Sequence, residues 1–201
     1  MLNLGWVKFD DQDDPDDENG YQVATDIFNL SSLYGRKIGN KLAASGRMEY
    51  RSSILNNFND PGYLDLGIGF TWDPAKGLFV TFHPLNANLV FADQESIFES
   101  TFGSKIVAEY SRDISGGLSF TSNFSGFLSY RNINRSNWTW NTSVSYKLWK
   151  VIGLGIEGGL RGNRQETLDY EINILGNEDA NFDTIDNKLQ SYFLAGISYK
   201  F

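Results

Sequence analysis

The chain of 201 residues has no cysteine, four prolines and a single histidine. Without cysteine there is no disulfide framework and no thiol chemistry. No stretch approaches the ~20 consecutive apolar residues of a membrane-spanning helix. That absence leaves a β-barrel open, because barrel strands are individually only half apolar. Bases are outnumbered, 17 Lys and Arg against 25 Asp and Glu, and the net charge of −8 argues against nucleic acid as a partner. No secretory leader is visible, since Met1 is followed at once by Leu2, Leu4 and Trp6 in strand-like alternation. A barrel has to cross the inner membrane, so the expectation is a mature form or a piece of a longer chain.

What the chain does have is aromatic residues, 15% of the total, together with 20 glycines. This balance favours strands, turns and interfacial rings over helices. The C-terminal segment alternates cleanly. Phe193, Ala195, Ile197, Tyr199 and Phe201 share one face, and Tyr192, Leu194, Gly196, Ser198 and Lys200 share the other. An aromatic residue closing such a strand, here Phe201 with Tyr199 before it, is the membrane-insertion signal read by the barrel-insertion machinery of outer membranes.

Four interior segments repeat the pattern. Leu64, Leu66, Ile68, Phe70 and Trp72 oppose Asp65, Gly67, Gly69 and Thr71. Leu118, Phe120, Phe124, Leu128 and Tyr130 oppose Ser119, Thr121, Asn123 and Ser125. Trp138, Trp140, Val144, Tyr146 and Leu148 oppose Thr139, Asn141, Ser143, Ser145 and Lys147. Ile152, Leu154, Ile156 and Leu160 oppose Gly153, Gly155, Glu157 and Arg161. Less regular segments cover roughly 2–9, 25–35, 41–54, 77–85 and 104–112, which with 190–201 makes about ten strands near the ~9–11 residues a tilted spanning strand needs.

Connection lengths alternate. Short ones fall near 36–40, 73–76, 113–116 and 149–151, and long ones near 10–24, 55–62, 86–103, 131–137 and 163–189. Short periplasmic turns and long extracellular loops are the asymmetry of outer-membrane barrels. The first long loop carries Asp10, Asp11, Asp13, Asp14, Asp16, Asp17 and Glu18, whereas Arg36, Lys37, Lys41, Lys76, Arg112, Lys147 and Lys150 lie at short turns. The acidic run lacks EF-hand spacing and reads as a solvated loop; any cation there would bridge to lipopolysaccharide phosphates. No metal site and no cofactor are expected.

Gly153-Leu154-Gly155-Ile156-Glu157-Gly158 matches G-x-G-x-x-G, but it lies inside an alternating strand with no helix-period stretch after it, so it is not a dinucleotide site. His83 is expected on the lumen side near Asp65, as a rim pair that could act as a general base. Inward-facing charges form an expected lumen cluster of Arg47, Glu49, Arg51, Asp65, Lys105, Glu109, Glu157 and Arg161, four bases and four acids. In a narrow barrel such groups pair and plug the interior. Trp72, Tyr146, Trp149, Tyr199 and Phe201 are expected in one aromatic girdle, and Tyr63, Tyr130, Trp138 and Trp140 in the other.

Several stretches also carry a resemblance. They are Asn57-Phe58-Asn59-Asp60-Pro61-Gly62-Tyr63-Leu64; Leu66-Gly67-Ile68-Gly69-Phe70 with Pro74; Phe82-His83-Pro84-Leu85-Asn86; Phe102-Gly103; and Leu33-Tyr34-Gly35 with Lys37-Ile38. Over roughly 25–130 the chain resembles a family of outer-membrane β-barrels from Bacteroidetes-type bacteria known only as a domain of unknown function. The resemblance implies a barrel and an outer-membrane location, and no activity. His83 stands where that family has serine. Members carry further strands upstream, which implies a missing N-terminal hairpin.

The sequence thus predicts one domain over 1–201, a transmembrane antiparallel up-and-down β-barrel of about ten strands here and twelve in a longer parent. The expected role is structural or partner-binding, with a charge-plugged lumen and no enzyme activity. Its expected contacts are outer-membrane lipid, lipopolysaccharide, the insertion machinery and other envelope proteins. The alternatives are a porin-like small-solute channel and an outer-membrane hydrolase using His83 and Asp65. A soluble lipocalin-like barrel is the alternative fold; it would put the large residues inside.

Overall fold

The computed structural model describes residues 2–8, 21–54, 58–92, 97–149, 152–185 and 188–199. Among them lies one antiparallel sheet in which each strand pairs with its neighbours in sequence, in the order β1 to β10. The strands are β1 (Leu2–Lys8), β2 (Tyr21–Lys37), β3 (Leu42–Ser52), β4 (Gly62–Ala75), β5 (Leu78–Phe91), β6 (Thr101–Ser115), β7 (Leu118–Ser129), β8 (Asn137–Lys147), β9 (Ile152–Asn163) and β10 (Gln190–Tyr199). No pairing joins β1 to β10 among the described residues, so the sheet has two edges. None of the described helices is long and apolar enough to cross a membrane.

Tight turns join the strands at one end. Gly77 has φ +82°, and Gly116 and Gly117 have φ +61° and +87°. Two successive positive φ angles make the two-residue β6–β7 hairpin turn that matches strand twist, which is why glycines stand there. The other end carries the long connections. The one after β9 folds, with α1 (Arg164–Asp169) continuing as a π-helical turn over Tyr170–Ile174. The acidic run 10–18 lies outside the described residues.

Side-chain direction follows the alternation, and it is inverted relative to a soluble protein. On β4, Leu66, Ile68, Phe70 and Trp72 are exposed while Asp65, Gly67 and Thr71 are buried. Phe124, Val144, Ile156 and Ile197 also look outward, with Ile68 61% and Ile197 76% exposed. The opposite face buries polar groups: Asp65 is 2%, His83 0% and Lys105 3% exposed. Polar atoms are buried without great cost when they find partners, as Asp65 and Lys105 do, whereas His83 Nδ1 has none among the described residues. Leu66, Ile68, Phe124, Val144, Ile156 and Ile197 thus do not lie inside, where a soluble lipocalin-like barrel would put large apolar residues.

Two expectations need correction. The stretch 86–103 is not a loop throughout. Strand β5 runs on to Phe91, because Ile68 pairs with Leu85 but Phe70 pairs with Phe82, which leaves His83 and Pro84 opposite Gly69. Pro84 lacks the N–H a ladder needs, and the extra residue makes a bulge. Inward positions change from Thr81 and His83 to Asn86 and Asn88. The period-2 pattern breaks at that point, which hid the second half of the strand. Tyr63 is not a girdle residue either. It is buried among inward groups, unlike Trp72, Tyr130, Trp140, Tyr146 and Trp149, which are exposed. Tyr199 closes β10, but its side chain, like Phe201, lies outside the described residues.

Candidate functional site

Five charged side chains meet on the inner wall of β3 to β6. Lys105 on β6 reaches Asp65 on β4 at 2.7 Å and Glu49 on β3 at 3.9 Å. Arg47 pairs with Glu49 at 2.9 Å, and Arg51 lies 3.8 Å from both Glu49 and Asp65. Asp65 also accepts from the Asn86 and Asn88 amides at 3.0 and 3.1 Å, the two residues that the bulge turns inward. Asn29 Nδ2 donates to Glu49 at 3.2 Å. Each carboxylate is thus met by cations and amides together, the condition under which buried charge is tolerated.

Beneath this network lies a hydroxyl layer. Thr71 donates to Ser45 at 2.9 Å and lies 3.4 Å from Thr81, and Ser45 Oγ is 3.1 Å from His83 Nε2. His83 is fully buried and does not touch Asp65; its Nδ1 has no hydrogen-bond partner among the described residues. The expected rim pair is therefore not formed, because the bulge turns the Asp65 partners Asn86 and Asn88 inward and His83 is neighboured by Lys105 on β6. Ser45 and His83 have nucleophile–base spacing, yet among the described residues no carboxylate orients the imidazole. The ring has its place because residue 67 is glycine: a Cβ there would lie 2.8 Å from Nδ1 and 2.5 Å from Asn86 Oδ1.

The other three predicted charges stand apart. Glu109 is exposed and makes no ion pair among the described residues. Glu157 is exposed and accepts from the Tyr192 hydroxyl at 2.6 Å. Arg161 pairs with Glu166 of α1. All eight share the inward parity, but parity says nothing of height along the strands. These three lie at other levels or across the sheet from Lys105.

The long connections add a cap that the alternation could not reveal. Ile97 and Phe98 from the β5–β6 connection pack with Leu168, Ala180 and Ile185 from the β9–β10 connection, flanked by Val90, Ile172 and Phe182. Polar ties hold it. Gln165 Nε2 donates to the Ile97 carbonyl at 3.2 Å, Arg164 donates to the Phe182 carbonyl at 2.5 Å, and Arg135 pairs with Glu99. Lys188 hydrogen-bonds Glu171 and holds its carboxyl below the usual carboxylate range. The cap is linked to the charge network through Tyr63, whose hydroxyl donates to Glu166 at 3.1 Å and whose ring lies 5.6 Å from the Arg51 guanidinium.

Comparison with known proteins is informative over one region. Residues 1–58 match the profile of a family described as Protein of unknown function (DUF3078). This match overlaps the resembling stretch 25–130 at its N-terminal part. No curated protein and no solved structure matches the chain. The N-terminal part of the chain is thus similar to a family of unknown function.

Proposed function

We propose that the chain is an outer-membrane β-barrel protein with a lumen plugged on the β3–β6 side, acting through its capped loops as a structural or partner-binding element. The observation that carries this reading is the inversion of the sheet. A wide band of Leu, Ile, Phe and Trp faces outward, while Asp65, Lys105, Glu49, His83, Asn86 and Asn88 are buried on the inner face. In water that arrangement exposes far more apolar surface than a soluble monomer carries. In lipid it is the favourable one, and unpaired strand edges there demand closure. Closure of the sheet, directly between β1 and β10 or through further strands, follows from the same requirement. The contacting partners are lipid, lipopolysaccharide and the insertion machinery.

The test is refolding of the purified chain with and without lipid vesicles or detergent. The expected result is β-structure that forms only with amphiphile and migrates differently before and after heating. A stable monomer folded in plain buffer would overturn the reading. A hydrolase role keeps only the Ser45–His83 contact in its favour.

A further inference from the structure

The outward wall of the sheet is almost free of charge. Among the described side chains, the outward positions of β2 to β10 carry two charges, Arg36 on β2 and Arg112 on β6. Both are arginine, and both stand at the short-turn end. The register fixes the level of Arg36. It pairs with Ala44, and Ala44 pairs with Phe70; the exposed Trp72 lies one repeat nearer the turn, opposite Leu42. Arg36 is exposed and makes no ion pair among the described residues. The stretch 36–42 adds Lys37 and Lys41 and no acid. The nearby Asp73, whose N–H donates to the Lys41 carbonyl, lies with Phe79 and Glu109 on the inner face.

The same wall is notched beside Arg36. Along one cross-strand row Tyr34 faces Gly46, Gly46 faces Ile68 and Ile68 faces Leu85. Gly46 leaves its place between two large neighbours unfilled, and a Cβ there would meet only the Gly67 carbonyl, at 3.8 Å. Two adjoining depressions result, of about 710 and 490 Å³, and both are bordered by Tyr34, Gly46, Ile68 and Leu85. The larger continues past Met48 and Leu66 to Phe102, the smaller past Ala44 and Phe70 to Arg36. Ser45 and Arg47 also border them, between the outward positions, but their side chains bond within the inner face. The groove is thus lined mainly by hydrocarbon and ends on a guanidinium.

We propose that this groove holds one anionic glycerophospholipid, with its phosphate on Arg36 and an acyl chain lying over Gly46 toward Phe102. A guanidinium takes a phosphate through two parallel N–H···O bonds. A cation on a lipid-facing wall needs an anion beside it, because hydrocarbon does not solvate charge. Tyr34, 76% exposed and one repeat from Arg36 on the same face, adds a hydroxyl donor near the headgroup level. With no acid on the described outward positions, the sign of the headgroup is decided. The site rests on the outer-membrane reading, because it needs a bilayer against β2 to β6.

The experiment inserts the full chain into phosphatidylcholine vesicles holding a minority of phosphatidylglycerol. The protein is then moved to detergent, and the lipid it retains is counted by native mass spectrometry. Wild type is expected to keep one phosphatidylglycerol. Gly46→Leu fills open space, so it should fold as wild type does and retain the lipid on the order of tenfold less, by excluding the chain. Arg36→Gln should also retain it about tenfold less, for want of the charged donor. Arg112→Gln, which borders neither depression, should retain it as wild type does. Inserted, heat-modifiable wild type that keeps no phosphatidylglycerol overturns the site and leaves the barrel standing. Unchanged retention in Gly46→Leu or Arg36→Gln, an equal loss in Arg112→Gln, or phosphatidylcholine kept as readily also overturns it, since the lipid is then a general coat of the wall. A chain that does not insert overturns both.

Discussion

Replacing Lys105 by methionine tests the charge network directly. The ammonium lies 2.7 Å from Asp65 and 3.9 Å from Glu49, and it is 3% exposed. Without it Asp65 keeps two amide donors and Arg51 at 3.8 Å, while Glu49 keeps Arg47 and Arg51. Removing one partner of a buried pair costs ~3–5 kcal/mol, because the other charge is stranded. Asp65 is partly rescued by Arg51 and its amides, so the lower end, about 3 kcal/mol, is expected for Lys105→Met. Asp65→Asn strands Lys105 with only a distant Glu49 and should cost at least as much. The double variant strands neither, so its loss should fall short of the sum by about 1–3 kcal/mol. The assay is equilibrium urea unfolding of vesicle-inserted protein, followed by circular dichroism. With a slope of ~1–3 kcal/mol per M, the Lys105→Met midpoint should drop by about 1–3 M. Additive single effects, with coupling below ~0.5 kcal/mol, would refute the claim that the two charges act as a pair.

Other perturbations separate the remaining claims. Ile68→Arg, on the outward band, should cost ~2–4 kcal/mol in bilayers if it lies near the midplane; a variant that folds as well as wild type would count against a lipid-facing wall. Gly69→Ala places a Cβ 2.2 Å from the Phe82 carbonyl, so it should destabilise by at least ~1–3 kcal/mol, measured by the same unfolding. Leu168→Ala removes a buried member of the cap core and should cost ~2–5 kcal/mol locally. It should be seen as faster proteolysis within 164–185 with an unchanged global midpoint. The Glu171–Lys188 bond lowers the carboxyl's pKa in the folded state, so its support is full above the unfolded value near 4.5 and fades as pH falls through the lower folded value. Proteolysis of the cap should therefore rise below about pH 4.5, and Glu171→Gln should abolish that rise.

Parity carried much of this structure into the sequence. Alternation in 64–72 and 138–148 placed Leu66, Ile68, Trp140 and Val144 outward without any coordinate, because strand geometry leaves each residue only two faces. The same rule put Arg47, Glu49, Arg51, Asp65 and Lys105 on one face. It could not say that Lys105 reaches past β5 to Asp65, or that Glu109 and Glu157 lie out of range. Those distances depend on register and on the bulge at Pro84. The cap was illegible for a different reason. Ile97, Phe98, Leu168, Ala180 and Ile185 follow no period, and what brings them together is the meeting of two connections far apart in the chain.

The bulge in β5 also fixes how the gene can change. If the ladder ran unbroken through residue 84 with no change of length, the rest of the strand would be carried half a repeat round. Asn86 and Asn88 would then turn outward, while Leu85 and Ala87 would turn inward against Asp65. Insertions in the long connections leave strand parity unchanged, but those within 97–100 and 164–185 would disturb the packed cap. Length variation among related sequences should therefore gather in 53–61, and a relative one residue shorter at position 84 should still hold both asparagines inward.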